Sequence, residues 1–344
     1  VAYCRVVDLS QSNNNIDINF LVFRSLETQL SSAVLFSHKS LEAMSFHTQF
    51  LLSILFGILV RTSAAETMPA PFTRVLYVNT PPFSGKDVVI LQNLLRRSNN
   101  VTTEVDATGL YDKQTAQAVQ EYKTANQLKG DPLVFDSVTA VLVLKQLSFD
   151  GYKDDGKVPY GYKFKIFIPV HKDRNIETEG KLMNANGDVM YHFRVRAHGS
   201  LDSSGKAVNQ FTLNGNTPTG LVTCDLNTKE PNPVSFGPYP VVRAVKGLKG
   251  NAAIGKNEND TFLSNYRSGI LVHTGEWKHW DPSMDMPNSN GCLHVHPDSM
   301  KTIVDILQKK LNVTANENPF GKQPYPYRCQ GIMSIQQIDD FMNF

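Results

Sequence analysis

Residues 269–296 read GILVHTGEWKHWDPSMDMPNSNGCLHVH, and they hold four of the chain's nine histidines (His273, His279, His294, His296), one of its four cysteines and both tryptophans, Trp277 and Trp280. Gly269-Ile270-Leu271-Val272 is a short apolar run opened by glycine, the pattern of a buried strand, and it delivers His273 at its end. A long irregular loop follows. Ser289-Asn290-Gly291-Cys292-Leu293-His294 then leads toward a helix begun by Pro297, whose apolar stripe is Met300, Ile303, Val304, Leu307 and Leu311. A strand-end histidine and a loop cysteine are the parts that thiol chemistry needs, because an imidazole within hydrogen-bond reach withdraws the proton and leaves a thiolate at neutral pH.

Upstream of this stretch the texture is mostly β. Residues 164–170, 189–197, 207–213, 241–245 and 269–273 read as strands separated by Gly, Asn, Asp and Pro turns. His171, His192 and His198 read as ordinary strand residues, and His279 as an exposed loop residue. Before the polar linker Tyr152-Lys153-Asp154-Asp155-Gly156 the period changes to helical. Val88, Leu91, Leu94 and Leu95, then Ala116, Val119 and Tyr122, then Val138, Val141, Leu142 and Leu147 mark three short helices, with turns at Gly109 and Gly130-Asp131-Pro132. The tail after residue 312 is rich in Asn, Pro and Tyr and is read as an extension.

The whole chain has 344 residues, with 34 Lys+Arg against 32 Asp+Glu and 41% hydrophobic residues, room for two ordinary domains. A net charge of +2 lacks the basic surplus of a nucleic-acid binder, so no nucleic-acid partner is expected. The apolar block FLLSILFGILV at 50–60 is too short to span a bilayer, which takes about 20 residues, and is followed by Arg61-Thr62-Ser63-Ala64-Ala65 with small residues at its end. Residues 44–65 therefore read as a secretory signal and 1–43 as an upstream segment with no folded role, leaving a secreted chain without a stable membrane anchor. In an oxidising compartment cysteines pair: with Cys4 discarded, Cys224 and Cys329 are the expected disulfide, and Cys292 is the thiol left over. Asn100, Asn259 and Asn312 head Asn-x-Ser/Thr glycosylation acceptors.

Nineteen residues separate His273 from Cys292. With the order Ser289-Asn290-Gly291-Cys292-Leu293-His294, the segment resembles the active-site signature of the L,D-transpeptidase (YkuD-type) catalytic domain. Asn216-Thr217-Pro218-Thr219-Gly220 resembles that family's substrate-side loop. Ahead of it, Gly85, Asp87-Val88, Leu91-Gln92, Leu94-Leu95, Asp106, Thr108-Gly109, Thr115, Ala118-Val119 and Tyr122 resemble the peptidoglycan-binding-like three-helix domain. The expected fold class is α+β: a three-helix peptidoglycan-binding-like bundle at 84–150, a mostly β L,D-transpeptidase-type catalytic domain at 160–312, and a C-terminal extension at 313–344.

The resemblance implies Cys292 as nucleophile and His273 as its base, oriented through a main-chain carbonyl at Thr274 or Gly275, with Gly291 and Cys292 N–H groups donating to the oxyanion. It implies acyl transfer on peptidoglycan stem peptides through a thioester, resolved by an amine or by water, with no metal or organic cofactor; the chain is expected to be a monomer. Thr217, Pro218, Thr219, Gly220, Arg267, Trp277, Ser289, Asn290 and His294 are the expected substrate-binding residues. Asn290 stands where many members have His, and His294 where the family has Arg or Asn, so a permanent cation is replaced by a group with a reference pKa of about 6.5. Two other readings use the same residues. Cys292, His294 and His296 alternate and with His273 make a Cys-His set for zinc, although at no zinc-signature spacing. A wall-binding module without catalysis is the other.

Overall fold

The structure is a computed structural model that describes residues 67–254, 267–323 and 329–339, with the backbone of 22–23 and 31–32. Those last two pairs are strands β1 (Val22–Phe23) and β2 (Ser31–Ser32), antiparallel to each other, in a compact unit of their own. The remainder of the expected upstream segment, the expected signal at 44–65 and the Asn259 acceptor lie outside the described residues.

Three helices come first: α1 (Lys86–Leu95), α2 (Lys113–Ala125) and α3 (Ser137–Leu147). Two of them start on aspartate caps, where Asp112 and Asp136 each accept the main-chain N–H three residues on, Thr115 and Thr139, at 2.8 Å. Gln92 of α1, 1% exposed, holds the turn at Gly109 by accepting its N–H at 2.8 Å and donating to Leu110 O at 3.0 Å. The stripes on α1 and α2 are buried where expected. That on α3 is turned: Ala140, Val143 and Leu147 are buried, whereas Val138 and Val141 are 51% and 55% exposed. The Asp136 cap, which also holds Thr139 Oγ1 at 2.6 Å, sets the phase of this helix and directs Thr139 and Ala140 inward.

The β layer is a closed barrel of β3 (Phe164–Val170), β4 (Thr178–Asn184), β5 (Val189–Arg196), β6 (Gly220–Asn227), β7 (Val241–Lys249), β8 (Leu271–His273), β9 (Leu293–Val295) and β10 (Gly331–Gln337). Around it the order is β10-β3-β4-β5-β9-β8-β7-β6, antiparallel except for β10–β3 and β8–β9. A single turn, α4 (Pro233–Phe236), precedes β7, and α5 (Pro297–Asp305) packs Met300, Ile303 and Val304 into the barrel's apolar cluster. Closure of the sheet, with β10 hydrogen-bonded to both β3 and β6, removes the strand edges that would otherwise invite pairing with another chain.

Several expectations change here. The tail supplies β10, which closes the barrel between β3 and β6, so residues 331–337 are part of the domain rather than an extension. Residues 207–213 form turns instead of a strand, and Phe211 leaves the barrel to join the helical core with Ile254. The linker is pinned down: Asp154 pairs at 2.6 Å with the fully buried Lys165, and Tyr152 Oη lies 2.8 Å from Ser334 Oγ. Cys224 and Cys329 are free thiols rather than a disulfide. Cys224 belongs to the barrel core, whereas Cys329 is only partly buried. His171 and His198 fall just past the ends of β3 and β5; His192 is on β5.

Candidate active site

Strands β8 and β9 run parallel with Val272 beside Leu293 and His273 beside His294. Ile270, Val272, Leu293 and Val295 belong to the barrel core, so the alternating residues Leu271, His273, Cys292 and His294 project from the outer face. Cys292 sits two residues before His294 on that face. Arg243, opposite Leu271 on β7, completes the row and is ion-paired to Glu230, with both side chains buried.

Cys292 is partly exposed, and its Sγ donates to Gly269 O at 3.6 Å. Burial pushes the thiol up; the Leu271 N–H and the charges of Arg267 and Arg243 act in the opposite direction. His273 is 3% exposed and its Nδ1–H donates to Thr274 O at 2.6 Å, the only direction available because a carbonyl accepts. That fixes the tautomer and leaves Nε2 with the lone pair. Burial holds His273 down at about 3, with the neighbouring His294 acting in the same sense. His294 donates Nδ1–H to Pro287 O at 2.7 Å and is held at about 4, again chiefly by burial. The two neutral rings meet edge to face at 4.7 Å. Among the described residues no hydrogen bond joins Cys292 Sγ to His273.

The loop before Cys292 is built on Ser289. Its Oγ donates to Cys292 O at 2.7 Å and accepts Gly291 N–H at 2.9 Å. The Gly291 N–H is therefore occupied, which removes it from the expected pair of oxyanion donors. His198 O accepts the Ser289 N–H at 2.9 Å, so a histidine read as an ordinary strand residue is a 1% exposed support of the nucleophile loop. Thr217, wholly buried, donates to Gly291 O at 2.9 Å, and Thr219, 2% exposed, donates to Asp150 Oδ2 at 2.9 Å. With Pro218 and Gly220 buried beside them, this expected substrate loop stands behind the site and supports it. Arg267 is 4% exposed and gives its guanidinium to main-chain carbonyls, Nη1 to Gln210 O and Asn216 O and Nη2 to Gly215 O at 2.8 Å; it too is placed behind the loop rather than toward a substrate.

Over the outer face lies the 274–290 loop. Trp277 packs on Gly275 and lies 4.9 Å from the His294 ring, and Trp280 lies 5.2 Å from Trp277 and 5.0 Å from His296. Arg196 Nη1 donating to Met286 O at 2.6 Å and Glu177 accepting Met286 N–H tie down its far end. Asn290 is exposed and accepts from Ser200 Oγ at 2.9 Å; His279 is exposed as expected. Among the described residues no group of three or more His, Cys, Asp or Glu is arranged to hold a metal ion. Sequence reasoning missed Arg243 and Glu230; the one signal for Arg243 was a charge set among Val241, Val242, Ala244 and Val245.

Comparison with known proteins gives two family matches. Residues 175–314 match the L,D-transpeptidase catalytic domain, YkuD, and residues 84–131 match the family described as "Putative peptidoglycan binding domain". No curated protein matches the chain. Among solved structures, an L,D-transpeptidase (Yku) from Stackebrandtia nassauensis is similar at 10% identity over 74% of this chain and 92% of that one, with a TM-score of 0.25.

Proposed function

We propose, from the premise that this chain carries an L,D-transpeptidase catalytic domain of the YkuD family behind a peptidoglycan-binding domain, that it is a cysteine acyltransferase acting on peptidoglycan stem peptides. The observation that carries the reading is the placement of Cys292 and His273 on one outer face of the parallel β8/β9 pair, inside the matched domain. In the proposed reaction Cys292 turns from Gly269 O toward His273, whose Nε2 takes the thiol proton as Sγ bonds to the carbonyl carbon of the third stem residue. The oxyanion forms against the Cys292 N–H, a donor worth about 3 kcal/mol of barrier in comparable sites. Collapse breaks the peptide bond, the imidazolium returns its proton to the departing D-alanine amine, and a thioester remains. An acceptor amine or water then loses its proton to Nε2, attacks the thioester and restores the thiol.

The resting state is a neutral thiol beside a neutral imidazole. Charge therefore separates only when substrate is present, and the nearby Arg243 and Arg267 favour the thiolate at that moment. The 84–131 domain holds the enzyme on the polymer. A location outside the cell, with glycans on the exposed Asn100 and Asn312, belongs to the same proposal.

The test is intact-mass measurement after exposure to a carbapenem or a stem tetrapeptide. A covalent adduct on wild type and none on Cys292→Ala is the expected result. The absence of a Cys292–His273 hydrogen bond at rest favours one competing reading, a wall-binding protein without catalysis. It predicts no adduct with retention on purified peptidoglycan.

A further inference from the structure

A cleft of about 440 Å³ lies where the helical layer meets the barrel, and none of the residues placed on the outer face with Cys292 lines it. Lys145 in the last turn of α3 and Phe149 just beyond it form one wall, Lys172 and Arg174 of the β3–β4 loop a second, and Gln210 and Asn216 of the β5–β6 loop a third. Three cationic side chains thus converge with amides and one half-exposed ring, and no carboxylate lines the space. Arg174 is 4% exposed, its Nη1 fixed on His171 O at 2.6 Å, so one of the cations is rigidly placed. Lys145 and Lys172 are exposed and their side chains make no ion pair among the described residues, while the Asp339 carboxylate beside Lys172 accepts its main-chain N–H at 2.8 Å. A volume of this size with fixed polar groups suits a few sugar or amino-acid residues, and the charge selects carboxylates.

The cleft is wired to the nucleophile loop. Gln210 and Asn216, which line it, give their carbonyls to Arg267, and the same Asn216 accepts the Gly199 N–H at 2.9 Å beside His198, whose carbonyl holds Ser289. A ligand in the cleft therefore sits on the residues that position Gly291 and Cys292.

We propose that this interdomain cleft binds a carboxylate-bearing stretch of peptidoglycan away from the scissile stem, so that polymer held by the helical layer is passed to the catalytic face in a fixed register. The proposal rests on the peptidoglycan-acting reading of the two domains.

The experiment uses the full chain carrying Cys292→Ala, so that nothing turns over, and calorimetric binding of a disaccharide-tetrapeptide and of the same compound with its carboxylates amidated. The native ligand is expected to bind about tenfold tighter than the amidated one, and Lys145→Glu with Lys172→Glu to reduce that ratio toward one. A ratio the double variant leaves unchanged overturns the cleft proposal. The double variant with Cys292 intact reports on the fold and the catalytic reading separately. An adduct formed at the wild-type rate shows an intact site, so lost discrimination then belongs to the cleft. Discrimination without any adduct on wild type overturns the acyltransferase reading and leaves the cleft standing.

Discussion

Gly291 has no room for a side chain. Its φ is 104°, and a Cβ there would fall on Arg267 Nη2 and within 2.7 Å of Gly215 O, so the turn before the nucleophile and the seat of the guanidinium are one requirement. The histidines beyond it make a second residue-scale point, about protons. An unfolded histidine titrates near 6.5, whereas burial holds His273 at about 3 and His294 at about 4. Between those limits the unfolded chain binds protons that the native rings refuse. Their contribution to stability is complete above pH 6.5 and falls as the pH drops, by about 1 kcal/mol per unit for each ring. Urea midpoints from pH 7.5 to 4 check this: wild type is expected to weaken more steeply than His294→Gln, and parallel curves would contradict it. The cysteine and His273 were legible in sequence because they lie nineteen residues apart in one stretch. His198 and Arg243 were not, because β5 and β7 bring them in from elsewhere, and a strand pairing has no local signature.

At the scale of the element, two helices show how similar caps carry different loads. Asp112 caps α2 through Thr115 N–H, and its loss is expected to cost about 1 kcal/mol. Asp136 caps α3 and also holds Lys123 Nζ at 2.8 Å, an ammonium whose side chain is 2% exposed. Asp136→Ala strands that charge, with only the carbonyls of Asp131 and Val134 left to it, and is expected to cost about 3 kcal/mol. Chemical denaturation of the two variants decides it, and equal losses would mean Lys123 escapes to water. The three helices and the strands β3, β5, β7 and β8 could be read from periodicity; β4, β6, the three-residue β9, and β10, in a tail without an obvious pattern, were not. A parallel strand arriving from the end of the chain is defined by its partner, here Phe164–Val170.

For the molecule as a whole, the junction decides its behaviour. Phe211, 3% exposed, and Ile254, 5% exposed, leave barrel loops to complete the helical core. Arg97 donates to Asn251 Oδ1 at 2.6 Å, and Asp150 accepts from both Asn251 and Thr219. A shared core couples the two layers, so wild type is expected to melt in one transition. Phe211→Ala is expected to cost about 3 kcal/mol and to separate the helical melt from that of the barrel in scanning calorimetry. A single transition at the wild-type temperature would contradict the coupling.

The sequence by itself determined the kind of protein: a helical period followed by a β period, and a histidine and a cysteine set at the two ends of one loop with glycine before the cysteine. Those are local properties, carried by residue type and spacing. Tertiary structure alone decided the rest: that Thr217, Thr219 and Arg267 stand behind the nucleophile loop, that Gly291 N–H is taken by Ser289, and that the last strand closes the barrel. Each of these depends on which face of a strand a side chain occupies once its neighbours are in register, and register is fixed only when distant segments pair.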